Sequence, residues 1–119
     1  METIDIYYAH WPDDNGVPLA YSCGAFAQLV REGAIKHWAV SNFNVEQGWA
    51  RPLADDVPRR AALSHRSRCG AVAEALAICD AKQWPRPVML QPPFSLVKTD
   101  HVDDGLFALC AKEGIAVCP

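Results

Sequence analysis

The chain has 119 residues, half of them apolar, with 11 basic and 14 acidic side chains and a net charge of −3. That is one domain's length, with enough apolar material for a core. It offers neither the basic stripe of a nucleic-acid binder nor an apolar run near the ~20 residues of a membrane-spanning helix. Met1-Glu2-Thr3 leads straight into an apolar strand, so no secretory signal is expected. The five cysteines are odd in number and none has C-x-x-C spacing, which indicates neither zinc nor a redox dithiol. They read as reduced, mostly buried thiols of a cytoplasmic protein.

The first element is the apolar strand Ile4-Asp5-Ile6-Tyr7-Tyr8-Ala9, which ends in His10-Trp11-Pro12. Strand alternation puts Tyr8 on the face of His10, but deeper, and packing is the expected role of both tyrosines. Phe26, Leu29 and Val30 then recur at i, i+3 and i+4, one face of a helix. Gly33 follows, placed to take the left-handed conformation that stops a helix. The second strand, Ile35 to Val40, leads into Ser41-Asn42-Phe43.

Residues 48–73 break this pattern. Gly48 to Gly70 contains five of the seven arginines, none of the four lysines, and no sustained apolar period. The plain reading is a long solvated surface loop. Loops beyond ~12–15 residues are uncommon in compact domains, however. The shift in basic-residue usage marks the stretch as an insertion that interrupts the domain. The regular order then resumes. Leu76 and Cys79 share a helical face, and Trp84-Pro85-Arg86-Pro87 is expected to end that helix because proline cannot continue it. Strand Val88-Met89-Leu90-Gln91 follows and runs into Pro92-Pro93-Phe94-Ser95-Leu96. A last helix carries Leu106, Leu109 and Cys110, stops at Gly114, and gives way to Ile115-Ala116-Val117-Cys118.

Strands alternating with helices predict an α/β fold with a parallel sheet. Strands apolar on both faces are expected where helices cover them. In (β/α) barrels the chemistry sits at the C-terminal ends of the strands. Three strands here carry polar groups there: His10, the pair Ser41 and Asn42, and Gln91. Each also has a plain structural reading. His10 could hydrogen-bond locally, Ser41-Asn42 could cap a helix, and Gln91 could satisfy loop backbone.

These segments together resemble the aldo/keto reductase family. Ile4 to Pro12 resembles its fourth barrel strand, Ala39-Val40-Ser41-Asn42-Phe43 its fifth, Val88 to Leu96 its sixth, and Gly114 to Pro119 its seventh. Four motifs in the right order, at strand-helix-strand spacing, are strong where one alone is weak. The resemblance covers nearly everything except residues 48–73. It implies a partial (β/α)8 TIM barrel and NADP(H)-dependent reduction of aldehydes or ketones to alcohols.

By the same resemblance His10 is the catalytic histidine that hydrogen-bonds the substrate carbonyl oxygen. Ser41, Asn42 and Gln91 would hold the carboxamide of the nicotinamide, with no metal involved. Counterparts of the family's aspartate, acidic tyrosine and lysine, of the ring that stacks on the nicotinamide, and of the 2′-phosphate clamps are not found. The expectation is therefore an incomplete member, inactive alone and binding NADP(H) weakly or not at all. Its partners would be a small carbonyl substrate if the barrel is completed, and other copies of itself through open barrel edges, with no nucleic acid or membrane. The alternative is a non-catalytic interaction module, or a half-barrel that pairs with a partner chain.

Overall fold

The computed structural model describes residues 3–11, 17–43, 70–97, 99 and 105–119. Its elements run β1 (Ile4–Ala9), α1 (Leu19–Arg31), β2 (Ile35–Ser41), α2 (Gly70–Lys82), β3 (Met89–Gln91), α3 (Leu106–Glu113) and β4 (Ala116–Val117). The four strands are parallel, and their order in space is their order in the chain. A parallel neighbour requires a crossover that returns the chain to its starting end, and each helix supplies one. The α/β reading of the sequence holds. Residues 48–69 of the expected interruption lie outside the described residues. Residues 70–73 form the first turn of α2, where Ala71 and Val72 are buried.

All three helices end in the same way. Gly33 and Gly114 are left-handed, at φ 73° and 71°. The residue after each reaches back to close the helix, Ala34 N–H to Leu29 O at 3.0 Å and Ile115 N–H to Cys110 O at 2.8 Å. This is the Schellman arrangement. The same bond closes α2, from Trp84 N–H to Cys79 O at 2.8 Å, but Gln83 takes the left-handed position, at φ 53°. Thus α2 stops at Lys82, before Pro85 is reached, through a backbone turn the sequence does not advertise.

Packing is one-sided. Trp38, Val40, Leu90 and Val117 face the helices and form one core with Cys23 of α1, Leu76 and Cys79 of α2, and Leu106 and Cys110 of α3. Tyr7 and Trp38 both pack on Phe26 of α1, at ring-centroid distances of 5.6 and 5.1 Å. Trp38 also donates its indole N–H to Pro85 O at 2.8 Å. Cys23, Cys79 and Cys110 are buried, whereas Cys118 is exposed. The opposite face carries Tyr8, Ala39, Met89 and Ala116. Among the described residues no helix lies over it, so two-sided coverage, expected from the apolar strands, is not what the sheet has. A parallel sheet with one layer of helices on one face is the arrangement of a barrel wall.

At the end of the sheet away from the strand tips, Arg86 ties α2 to α3. It pairs with both carboxylate oxygens of Asp80 and, at 3.2 Å, with Glu113. Among the described residues no helix is long and apolar enough to cross a membrane.

Candidate active site

The parallel register brings the C-terminal tips of β1, β2 and β3 side by side. Ala9 aligns with Val40, and Ser41 with Gln91. The next residue on β1 is His10 and the next on β2 is Asn42, so all four residues singled out by sequence meet at one end of the sheet. His10 and Gln91 are exposed, Asn42 is half-buried, and Ser41 is 4% exposed.

A hydrogen-bonded junction joins them. Asn42 Nδ2 donates to His10 O at 2.8 Å and to Ser41 Oγ at 3.1 Å. Ser41 Oγ donates to Gln91 O at 3.0 Å, and Asn42 N–H donates to the same carbonyl at 3.1 Å. Asn42 makes these bonds from a left-handed backbone, φ 56°. Asparagine is among the few side chains that tolerate this region.

The bonding leaves a defined set of groups for a ligand. A backbone carbonyl can only accept, so the bond to His10 O fixes which end of the Asn42 amide is nitrogen. Both its protons are then used within the protein, and its oxygen remains as an acceptor. Ser41 is buried and has committed its proton to Gln91 O. The exposed Gln91 amide offers both a donor and an acceptor. An acceptor beside a donor–acceptor pair fits a primary carboxamide, which presents one oxygen and two N–H groups. The His10 imidazole stands at the rim, its ring 5.7 Å from that of Trp11.

Beneath the tips, Tyr8 donates its hydroxyl to Met89 Sδ at 2.7 Å. Burial raises its pKa above the ordinary 10.0, and nearby Cys118 adds to the effect. This makes Tyr8 a poorer acid, in keeping with its expected packing role.

The aldo/keto reductase family model matches residues 1–50, the part of the chain that holds His10, Ser41 and Asn42. The fold matches over 98% of the chain, with TM-score 0.65 and 28% identity, a thermostable aldo-keto reductase solved with the inhibitor epalrestat. The chain thus resembles the aldo/keto reductases, in sequence over its first 50 residues and in fold over nearly its whole length. An aldo-keto reductase from Klebsiella pneumoniae, solved with NADPH, superposes with TM-score 0.63 at 22% identity, and a glycerol dehydrogenase from Gluconobacter oxydans with 0.63 at 23%, each over 98% of this chain. No curated protein matches. The chain spans 32%, 30% and 26% of those three solved chains. Its sheet is accordingly a partial (β/α)8 barrel. Sequence reasoning found the four tip residues but not the bonds among them. Contacts such as Asn42 to the His10 carbonyl, 32 positions away, leave no periodic trace.

Proposed function

We propose that this chain forms the nicotinamide-facing and carbonyl-facing side of an NADP(H)-dependent reductase of aldehydes and ketones. The observation that supports this most is the junction of three strand tips that holds His10, Asn42 and Gln91 together. Bound NADP(H) would supply two electrons to the carbonyl carbon, chemistry that belongs to the cofactor. The protein's part is orientation. Asn42 Oδ1 and the Gln91 amide would hold the carboxamide, with Ser41 bracing both strands from behind. Fixing the ring against the carbonyl lowers the entropic part of the barrier. His10 would donate a hydrogen bond to the substrate oxygen and stabilise the charge that develops there.

The new alkoxide also needs a proton from an acid with a suitable pKa. Tyr8 is unsuited to this, being engaged on Met89 and weakened as an acid by burial. We therefore assign proton delivery to a group other than Tyr8 and, since no counterpart of the family's acidic tyrosine is found in the sequence, expect no turnover from the chain alone. The test follows NADPH absorbance with 4-nitrobenzaldehyde. The chain alone should match its His10→Ala variant. Mixed with the first three strands of a related reductase, it should show a rate that His10→Ala abolishes. A His10-dependent rate from the chain alone would contradict the incomplete site. A stable complex with no His10-dependent rate would contradict the catalytic reading.

A further inference from the structure

Two buried thiols meet between the first two helices, and the site at the strand tips makes no use of them. Cys23 and Ala27 lie one turn apart on α1, as do Ala75 and Cys79 on α2, and all four are 0% exposed. Side chains this small let packed helices approach closely. Neighbouring residues fix how the two helices align. A Cβ at Gly24 would lie 3.1 Å from the Trp84 ring, and Trp84 N–H is bonded to Cys79 O at 2.8 Å. Cys23 therefore faces the last turn of α2, where its thiol donates a hydrogen bond to the Cys79 sulfur. No C-x-x-C spacing announces this pair, because the fold brings together two cysteines that are far apart in the chain.

The hydrogen bond gives the two sulfurs different characters. Accepting it lowers the Cys79 pKa below the ordinary 9.0, against burial and Asp80, and the Arg86 guanidinium adds to the lowering. Donating it raises Cys23 above that value, with burial, the charge of Cys79 and that of Glu74 acting in the same direction. Cys79 is thus the sulfur that ionises first, and the thiolate is the form that attacks an oxidant. Cys23 keeps its proton and stands in contact, the position of a resolving thiol.

We propose that Cys23 and Cys79 are a redox-active pair that hydrogen peroxide converts into a disulfide joining α1 to α2. The Cys79 thiolate attacks one peroxide oxygen and the O–O bond breaks. Its electron pair leaves with hydroxide, which takes up the proton lost by Cys79 and becomes water. The Cys23 sulfur then attacks the sulfenic acid on Cys79. An S–S bond forms, and the hydroxyl departs with the Cys23 proton as a second water. The two thiols lose two electrons and one peroxide gains them. Because both sulfurs are buried, a small oxidant reaches them through brief local openings of the helix contact. The bond would close a long loop of chain that contains β2, with Ser41 and Asn42, and so restrict the unfolded state. The inference is independent of the reductase reading, and its test does not involve activity.

The full chain is exposed to hydrogen peroxide, then unfolded in N-ethylmaleimide to block the remaining thiols. Digestion with trypsin and a protease that cuts after Glu74 separates Cys69 from Cys79. Mass spectrometry should find the Cys23 peptide joined to the Cys79 peptide, and dithiothreitol should part them. The unfolding midpoint of the oxidised chain should lie above that of the reduced chain. Cys23→Ala should show neither the link nor the rise, and Cys118→Ala should keep both. The peptide map of the unmodified chain decides by itself if a variant does not fold. Four results would overturn the proposal: Cys23 and Cys79 both recovered as maleimide adducts after prolonged exposure, Cys79 carried to the sulfinic acid with no link, either one joined instead to Cys69, Cys110 or Cys118, or a link that leaves the midpoint unmoved.

Discussion

Asn42 carries more of this site than its size suggests, and replacing it separates two contributions. Asn42→Ala removes the bonds to His10 O and Ser41 Oγ, each contributing about 1 kcal/mol net. It also forces alanine to φ 56°, where a side chain with a plain Cβ is worse by roughly 1–2 kcal/mol. The expected loss is about 3–4 kcal/mol. Asn42→Gly loses the same bonds but relieves the backbone, partly offset by glycine's greater freedom when unfolded. It should therefore be about 1 kcal/mol more stable than the alanine variant. Urea unfolding of the three proteins measures both differences. Protein concentration must be held fixed, since association would add to apparent stability. A glycine variant no more stable than the alanine variant would refute the left-handed strain. An alanine variant within about 0.5 kcal/mol of the unmodified chain, the usual range for a surface change, would refute the junction.

Other regions make separate predictions. Burial raises the Glu74 carboxyl above its ordinary 4.5, so its stabilising contribution is complete below 4.5 and is lost as pH rises through the raised folded value. Glu74→Gln should thus unfold at a higher temperature than the unmodified chain at neutral pH, with the gap closing in acid, as thermal melts at several pH values would show. The Arg86 bond holds Asp80 below its ordinary 3.8, a contribution present above 3.8 and lost as pH falls through the depressed value. Because the pair is exposed, Arg86→Met should cost no more than about 1 kcal/mol by urea titration, and less in high salt. Leu90 is fully buried in a strand of three residues, so Leu90→Ala should cost about 2–5 kcal/mol in the same titration. A Cβ at Gly24 would lie 3.1 Å from the Trp84 ring. Gly24→Val should therefore overpack the α1 contact and cost about 1–3 kcal/mol, read from the shift in the unfolding midpoint.

Much of the fold was legible because its determinants are local. Gly33 and Gly114 marked two helix ends, since glycine enters the left-handed region without steric penalty. The strands showed as short apolar runs closed by polar tips, and their parallel order followed from the helices between them. The end of α2 was not legible, because a glutamine at φ 53° carries no sequence signal and Pro85 offered a more obvious stop. One-sided packing was not legible either. Tyr8, Ala39 and Met89 make the strands apolar on both faces, as they would be under two helical layers or inside a barrel. Only the register and the helix positions decide between those. At the tips, residue types disclosed His10, Ser41, Asn42 and Gln91 as a group. The burial of Ser41, and the use of both Asn42 protons inside the protein, depend on three strands meeting and could not be read from any one of them.

The central claim is that the tips of β1, β2 and β3 form the nicotinamide end of a reductase site. Titration with reduced nicotinamide mononucleotide, followed by two-dimensional amide NMR, addresses it most directly, because that ligand carries the carboxamide without the adenosine. The account predicts millimolar or weaker binding, at most about 4 kcal/mol. The side-chain amide signals of Asn42 and Gln91 and the backbone signal of His10 should shift together, while those near Arg86 at the opposite end of the sheet stay still. Shifts spread evenly over the sheet, or saturation that leaves Asn42 and Gln91 unmoved, would contradict it.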